Sequence, residues 1–225
     1  MRSAVFVVAA GRGERLGAAL PKAFVALRGE PLVSHAVRRL RASGVFDELV
    51  VAAPAEEVDR CVELFAAARV VPGGSTRQES VRNALAAIPS AVEVVLVHDA
   101  ARPLVSAEVV RRVHDAARRH GAAMAAIPVT DTLKAVASDG TITATAHRES
   151  LWMAQTPQGF HTELLRQAHD AAARDGVEAT DDAALVERLG HPVRVVEGSR
   201  TNLKITVPED LAIAEALLAG GLIGD

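Results

Sequence analysis

The sequence predicts an α/β fold, a three-layer α/β/α sandwich on a mostly parallel, twisted sheet. Apolar runs without polar alternation, at residues 4–10, 49–53, 92–97 and 122–128, suit strands buried on both faces, the habit of parallel sheets. Segments with helical spacing separate those runs. The third observation is size: 225 residues with 49% hydrophobic content can bury a substantial core. One domain over residues 1–225 is expected, with an appendage at about 132–155.

The first strand stops at Gly11-Arg12-Gly13, with Gly17 beyond. Glycine permits tight turning and lets anions approach main-chain N–H groups. Arg12, Arg15 and Lys22 place three cations beside that loop, so strand, glycine turn and cations together describe a polyphosphate cradle. Residues 31–43 carry Leu32, Val33, Ala36, Val37 and Leu40 at helical spacing, and Gly44 ends the helix. A strand at 49–53, a helix at 56–67 and a short strand at 69–71 follow. Pro72-Gly73-Gly74-Ser75 breaks the chain before a helix at 76–88, which has Val81, Ala84, Leu85 and Ile88 on one face and Arg77 and Ser80 in its first turns. A glycine pair ahead of a helix N-terminus is either an anion or base-edge site, or a plain connection.

The strand at 92–97 leads into His98-Asp99-Ala100-Ala101-Arg102-Pro103. Ligands gather at the carboxyl ends of strands in open α/β sheets. The next helix begins only after Ser106, so capping does not explain Asp99; a carboxylate beside a nucleoside triphosphate can hold Mg²⁺. A helix at 106–120 and a strand at 122–128 complete the regular alternation. Two β-like runs, 132–136 and 141–146, then flank Asp139-Gly140, a strong hairpin signal. With a third run at 151–155 they read as a projecting arm, with Trp152 in a packing role. Residues 156–160 lead to a helix at 163–173. Thr180 is either the cap of a helix ending near 189 or a ligand contact. Strands at 193–196 and 203–205 precede a Thr206–Glu209 capping box and a last helix to about 218, with Pro208 in its first turn. Lys204, between apolar neighbours, is edge-exposed or aimed at an anion.

The composition excludes several classes. A net charge of −3 gives no general affinity for nucleic acid. One cysteine, Cys61, allows no internal disulfide and reads as a small buried hydrophobe in a reducing compartment. No signal-peptide layout or membrane-length apolar stretch appears, and cytoplasm is expected. The glycine loop is not a P-loop, because Pro21 precedes Lys22 and Ala23 follows it. It also misses the dinucleotide fingerprint: Leu16 occupies the third glycine position, and the strand ending at Pro54 carries no ribose-binding acid.

What remains, A-A-G-x-G-x-R followed by P-K, resembles the opening signature of nucleotidyltransferases that join a sugar phosphate to a nucleoside triphosphate. With HDAARP, the chain resembles the 2-C-methyl-D-erythritol 4-phosphate cytidylyltransferase family of the non-mevalonate isoprenoid pathway. The resemblance runs in family order through AAGRGERLG, LPKAF, PGGSTRQES, HDAARP, PVTDTLK, TPQ, TDD and NLKIT. It implies a Rossmann-like fold of the nucleotide-diphospho-sugar transferase type and CMP transfer from CTP, monofunctional because nothing past Asp225 remains for a fused synthase. It implies that Arg15 and Lys22 stabilise the triphosphate and transition state, that Lys204 reaches the alcohol phosphate or α-phosphate, and that Asp99 holds Mg²⁺. Ala9, Ala10, Gly11, Gly13, Gly74, Ser75 and Ser80 would line the CTP site. Arg102, Thr132 and Arg148 would bind the substrate phosphate, from a partner's arm in a homodimer, with Thr156 and Thr180 as hydroxyl contacts. Ser75 departs from the pattern, since relatives often carry an acid there. The alternatives are a ribitol-5-phosphate cytidylyltransferase, an NAD(P)-dependent oxidoreductase and a silent dimeric binding module.

Overall fold

A computed structural model of the chain describes residues 1–11 and 20–223. The expectations for Arg12, Gly13, Arg15 and Gly17 lie outside the described residues. In chain order the elements are β1 (Arg2–Val8), a 3₁₀ turn at Lys22–Phe24, the short pair β2 (Ala26–Leu27) and β3 (Glu30–Pro31), and α1 (Leu32–Arg41). Next come β4 (Glu48–Ala53), α2 (Val58–Leu64), β5 (Arg69–Pro72), α3 (Arg77–Ala87), β6 (Val92–Asp99) and α4 (Ala107–His120). The chain continues through β7 (Ala122–Pro128), β8 (Lys134–Val136), β9 (Ile142–Thr145), β10 (Trp152–His161) and α5 (Thr162–Arg174). It closes with α6 (Asp182–Arg188), β11 (Arg194–Glu197) and α7 (Pro208–Ala219).

The main sheet has seven strands in the order β11-β7-β10-β6-β1-β4-β5. β1 pairs in parallel with β4 and β6, β4 with β5, and β7 with β11. β10 alone among these runs antiparallel, between β6 and β7. The continuous apolar runs are explained by two core clusters on opposite faces of the sheet. Phe6, Val95 and Phe160 belong to one; Val5, Val7, Leu96 and Val113 belong to the other. A smaller cluster of Leu27, Leu32, Leu104, Ile205 and Ala214 seals one end.

The structure corrects several local expectations. Residues 156–160 do lead to a helix, α5, but they are themselves strand, in the middle of the sheet and continuous with the run at 151–155. Gly159 fits there because Leu96 and Ala117 close over it: an added Cβ would stand 2.7 Å from Leu96 Cδ2 and 2.9 Å from Ala117 Cβ. Residues 203–205 form no strand; they are held by one main-chain bond, Ile205 N–H to Ala101 O at 2.8 Å. The last helix is capped one residue later than its sequence suggests, with the Asp210 carboxylate accepting from the amides of Thr206 and Val207 at 2.6 and 3.0 Å. Asp181, not Thr180, caps α6, accepting from Ala184 N–H at 2.9 Å. The expected helix at 56–67 shortens to a 3₁₀ turn plus α2. Trp152 is 45% exposed and does not pack into the core of this chain.

The hairpin around Asp139-Gly140 forms, while the third run, 151–155, belongs to β10 of the main sheet. β8 and β9 pair only with each other, and residues 131–150 are exposed throughout. Cys61 is buried, and burial pushes its thiol pKa up to about 11, in keeping with an inert packing role. No helix among the described residues is long and apolar enough to cross a membrane.

Candidate active site

The parallel strands all end on one edge of the sheet, and β10 starts there. At that edge Asp99 is the last residue of β6, paired with Val8 at the end of β1. The backbone turns sharply afterwards: Ala100 N–H bonds to Val8 O and Arg102 N–H to Asp99 O. The Asp99 carboxylate is thereby fixed at the strand's carboxyl end, only 8% exposed.

Two cations from distant segments meet it. Arg77 Nε donates to Asp99 Oδ1 at 3.1 Å, and Lys204 Nζ donates to Asp99 Oδ2 at 2.8 Å. Arg77 reaches on to a second carboxylate, Nη1 to Asp182 Oδ2 at 2.7 Å, and His169 Nε2 lies 2.9 Å from Asp182 Oδ1. Burial disfavours the Asp99 anion, but Arg77 and Lys204 outweigh it and hold its pKa well below the usual carboxylate range. Asp182 shifts the same way, with Arg77 and His169 overcoming its burial. A line of alternating charge, Lys204, Asp99, Arg77 and Asp182, therefore crosses four separate segments, and His169 hydrogen-bonds to its end.

Lys204 is placed by its neighbours. Ile205 is fully buried in the smaller cluster, and Asn202 is fully buried with its side chain donating to Thr156 O at 2.8 Å. Arg102 donates to Asn202 O at 2.8 Å and to Ala154 O at 3.2 Å. The Arg102 guanidinium thus stitches the Lys204 segment to β10, where the sequence suggested a contact to substrate phosphate. Thr156 is also turned inward: its hydroxyl lies 3.0 Å from both Asp99 N and His98 Nδ1.

The loop after β5 meets the loop after β1. A Cβ added to Gly73 would stand 2.2 Å from Ala10 Cβ, so only glycine permits that approach. The loop's amides are taken internally: Gly73 N–H by Ala53 O at 2.7 Å, Gly74 N–H by Ser80 Oγ at 3.0 Å, and Ser75 N–H by Glu79 Oε2 at 2.6 Å. Ser75 Oγ also donates to Glu79, at 2.8 Å, and these bonds from Ser75 hold the Glu79 pKa down. These three amides are therefore spent within the protein. The Glu79 carboxylate takes both Ser75 donors from one helical turn further on.

The family model described as IspD: 2-C-methyl-D-erythritol 4-phosphate cytidylyltransferase matches residues 3–220. The chain belongs to this family. The cytidylyltransferase of Syntrophus aciditrophicus (strain SB) is 43% identical over 219 residues, 94% of either chain. That of Symbiobacterium thermophilum is 46% identical over 216 residues, covering 95% of this chain and 92% of the relative. The crystal structure of 2-C-methyl-D-erythritol 4-phosphate cytidylyltransferase from Thermus thermophilus superposes with a TM-score of 0.82 at 42% identity, over 97% of this chain and all of that one. These matches favour an enzyme of the methylerythritol phosphate family over the ribitol-phosphate and NAD(P) alternatives.

For a cytidylyltransferase, the residues expected to act together lie in several places. Asp99, Lys204 and Thr156 converge at one point. Ala9, Ala10, Gly74, Ser75 and Ser80 lie along the adjoining loops, with Gly11 just before residues 12–19. Lys22, half-buried, opens the 3₁₀ turn that also holds buried Ala23 and Phe24, three residues after position 19. Thr132 and Arg148 sit on the exposed arm, where Arg148 donates to Thr130 O, and Thr180 is exposed beside α6. Sequence reasoning missed Arg77, Asp182, His169 and His98 as parts of the site. The signals were present in S-T-R-Q-E-S, T-D-D and H-D-A-A-R-P, but each has an ordinary helix or turn reading.

Asp99 fits a magnesium ligand. A carboxylate has about four acceptor directions, and Arg77 and Lys204 take one on each oxygen. One carboxylate plus substrate phosphates and water is an ordinary Mg²⁺ donor set. Among the described residues no group of three His, Cys, Asp or Glu side chains gathers for an all-protein site.

Proposed function

We propose that this chain transfers CMP from CTP to 2-C-methyl-D-erythritol 4-phosphate, giving 4-diphosphocytidyl-2-C-methyl-D-erythritol and pyrophosphate for isoprenoid precursor synthesis. Family membership supports the reaction. The observation that carries its chemistry is the pairing of Asp99 with Lys204 at 2.8 Å where β1 and β6 end.

The nucleophile is a phosphate oxygen of the alcohol phosphate, ionised near neutral pH because its second pKa is about 6. It forms a bond to the α-phosphorus of CTP as the bond to the bridging oxygen of pyrophosphate breaks, and the electron pair leaves with pyrophosphate. No strong base and no covalent enzyme intermediate are needed. The difficulty is electrostatic, since two polyanions must touch, and fixed cations supply the remedy. Lys22 and Arg15 neutralise the triphosphate and the charge that builds on the α-phosphoryl oxygens. Lys204, next to Asp99, faces the junction of the two reactants. Asp99, oriented by Arg77, would hold Mg²⁺, which would supply positive charge to offset that of the phosphates.

The Gly73–Ser80 loop, with its acceptor-rich edge, reads cytosine, whose exocyclic amine is a donor. Thr132 and Arg148 bind the alcohol phosphate from the partner's arm in a homodimer. One domain over residues 1–225, with its arm at about 132–155, works in the cytoplasm.

Pyrophosphate release tests the reading. Methylerythritol phosphate with CTP and Mg²⁺ is expected to support turnover that ribitol 5-phosphate does not match and that omission of Mg²⁺ abolishes. Faster turnover of ribitol 5-phosphate, or no CTP-dependent release, would overturn it.

A further inference from the structure

The antiparallel register of β10 on β6 places Gln158 opposite Val97. Two residues further, Thr156 stands opposite Asp99. In a regular ladder the Thr156 carbonyl would accept from Asp99 N–H. Here that carbonyl is turned away and accepts from Asn202 Nδ2 at 2.8 Å, while the Thr156 hydroxyl takes Asp99 N–H at 3.0 Å. A side chain has replaced main chain at the residue whose carboxylate matters most.

That hydroxyl is part of a chain of bonds with one consistent direction. His98, fully buried, has Nε2 3.1 Å from Arg102 O and Nδ1 3.0 Å from Thr156 Oγ1. A carbonyl only accepts, so Nε2 carries the proton. Nδ1 of the neutral ring is then an acceptor, and Thr156 O–H donates to it. The hydroxyl's single proton is committed to His98, and one of its lone pairs to Asp99 N–H. Arg102, whose carbonyl ends the chain, closes the Asp99–Arg102 turn by its own N–H and clamps the Lys204 segment by its guanidinium.

The geometry points to His98 and Thr156 as a positioning pair for the transfer: His98, fixed as its Nε2–H tautomer, and the Thr156 hydroxyl together set the direction of Asp99 and Lys204, and Thr156 does not touch the substrate alcohol. This goes beyond the assignment of Thr156 as a substrate contact. It rests on the proposed reaction only for its kinetic arm.

The experiment pairs Thr156→Val, which keeps shape and deletes the hydroxyl, with Thr156→Ser, which restores it. Steady-state kinetics with CTP and methylerythritol phosphate are read alongside ¹⁵N-histidine spectra at pH 7.5. Thr156→Val is expected to lower kcat about tenfold, the scale of one or two lost internal hydrogen bonds, while KM for the alcohol phosphate changes much less. Thr156→Ser returns kcat toward wild type. The spectra should show an Nε2–H tautomer for His98, with its Nδ1 signal displaced in Thr156→Val and recovered in Thr156→Ser. A rise in KM for the alcohol phosphate at unchanged kcat would overturn the proposal, as would an Nδ1–H tautomer. His98→Leu should reproduce the kcat loss; if it does not fold, the Thr156 pair still decides. Because the spectra need no substrate, failure of the reaction assignment and failure of the positioning pair are separately visible.

Discussion

Removing the Arg77 side chain breaks the central link in the line of charge behind the site. In Arg77→Met the hydrogen bonds to Asp99 Oδ1 at 3.1 Å and Asp182 Oδ2 at 2.7 Å are both lost. Asp99 retains Lys204, but Asp182, 1% exposed, keeps only His169. Charge-assisted bonds contribute about 1.5–3 kcal/mol each, and stripping one partner from a buried ion pair costs about 3–5 kcal/mol. The expected loss is therefore about 3 kcal/mol or slightly more, a large fraction of a typical domain's stability. Urea unfolding at pH 7.5 reads it as a lower midpoint at unchanged slope. Arg77→Met/Asp182→Asn should recover part of the loss, because the stranded carboxylate is gone, and the double-mutant cycle isolates that coupling. A loss below about 1 kcal/mol, with no coupling to Asp182, would mean that water already serves these carboxylates, and the picture of a buried charge relay would be wrong.

Three further outcomes are expected. Lys22→Ala lowers kcat at least roughly 100-fold, comparable to losing an oxyanion donor; near-normal turnover in a rapid pyrophosphate assay would remove it from the reaction. Glu79→Ala frees the amide and hydroxyl of Ser75, so KM for CTP should rise severalfold and discrimination against UTP should weaken, with kcat near that of wild type; unchanged selectivity would contradict the acceptor-rich loop. Stability should fall as pH drops from about 6.5 to 4. Burial lowers the His98 pKa to about 4, against about 6.5 in the unfolded chain. Between those values the unfolded state binds the extra proton, so the native state is favoured at the higher pH, by up to roughly 3 kcal/mol. His35 and His114, also pushed down by burial, act with the same sign. Urea midpoints that hold level from pH 7 to 4.5 would refute this.

The sequence made the parallel core legible because Ala4, Val5, Phe6 and Val7 are apolar on both faces, and two core layers need both. β10 was hidden because Pro157 and Gly159 look like breakers. In the folded chain the ladder to β7 slips between Ala154 and Gln158, which accommodates a residue without an N–H, and Gly159 is required by the side chains above it. Asp99 drew attention because helix capping does not explain it, and Lys204, which could equally be edge-exposed, because of the family resemblance; the structure pairs the two. Arg77 drew none, since a cation in the first turn of a helix normally faces water; only tertiary packing brings Asp182 within its reach. Thr156 and Arg102 show the opposite case. Their types suit a phosphate or hydroxyl contact, while in the folded chain Arg102 Nη1 and Nη2 bond main-chain carbonyls and the Thr156 hydroxyl bonds Asp99 N–H and His98.

The central claim is a single direct displacement at the α-phosphorus of CTP, with the chain supplying fixed charge and no covalent intermediate. Its most direct test is the stereochemical course with CTP made chiral at the α-phosphorus by sulfur substitution. One in-line step predicts inversion of configuration in the cytidylyl product. Retention would require two displacements, and hence an enzyme-bound nucleotidyl intermediate that this reading excludes.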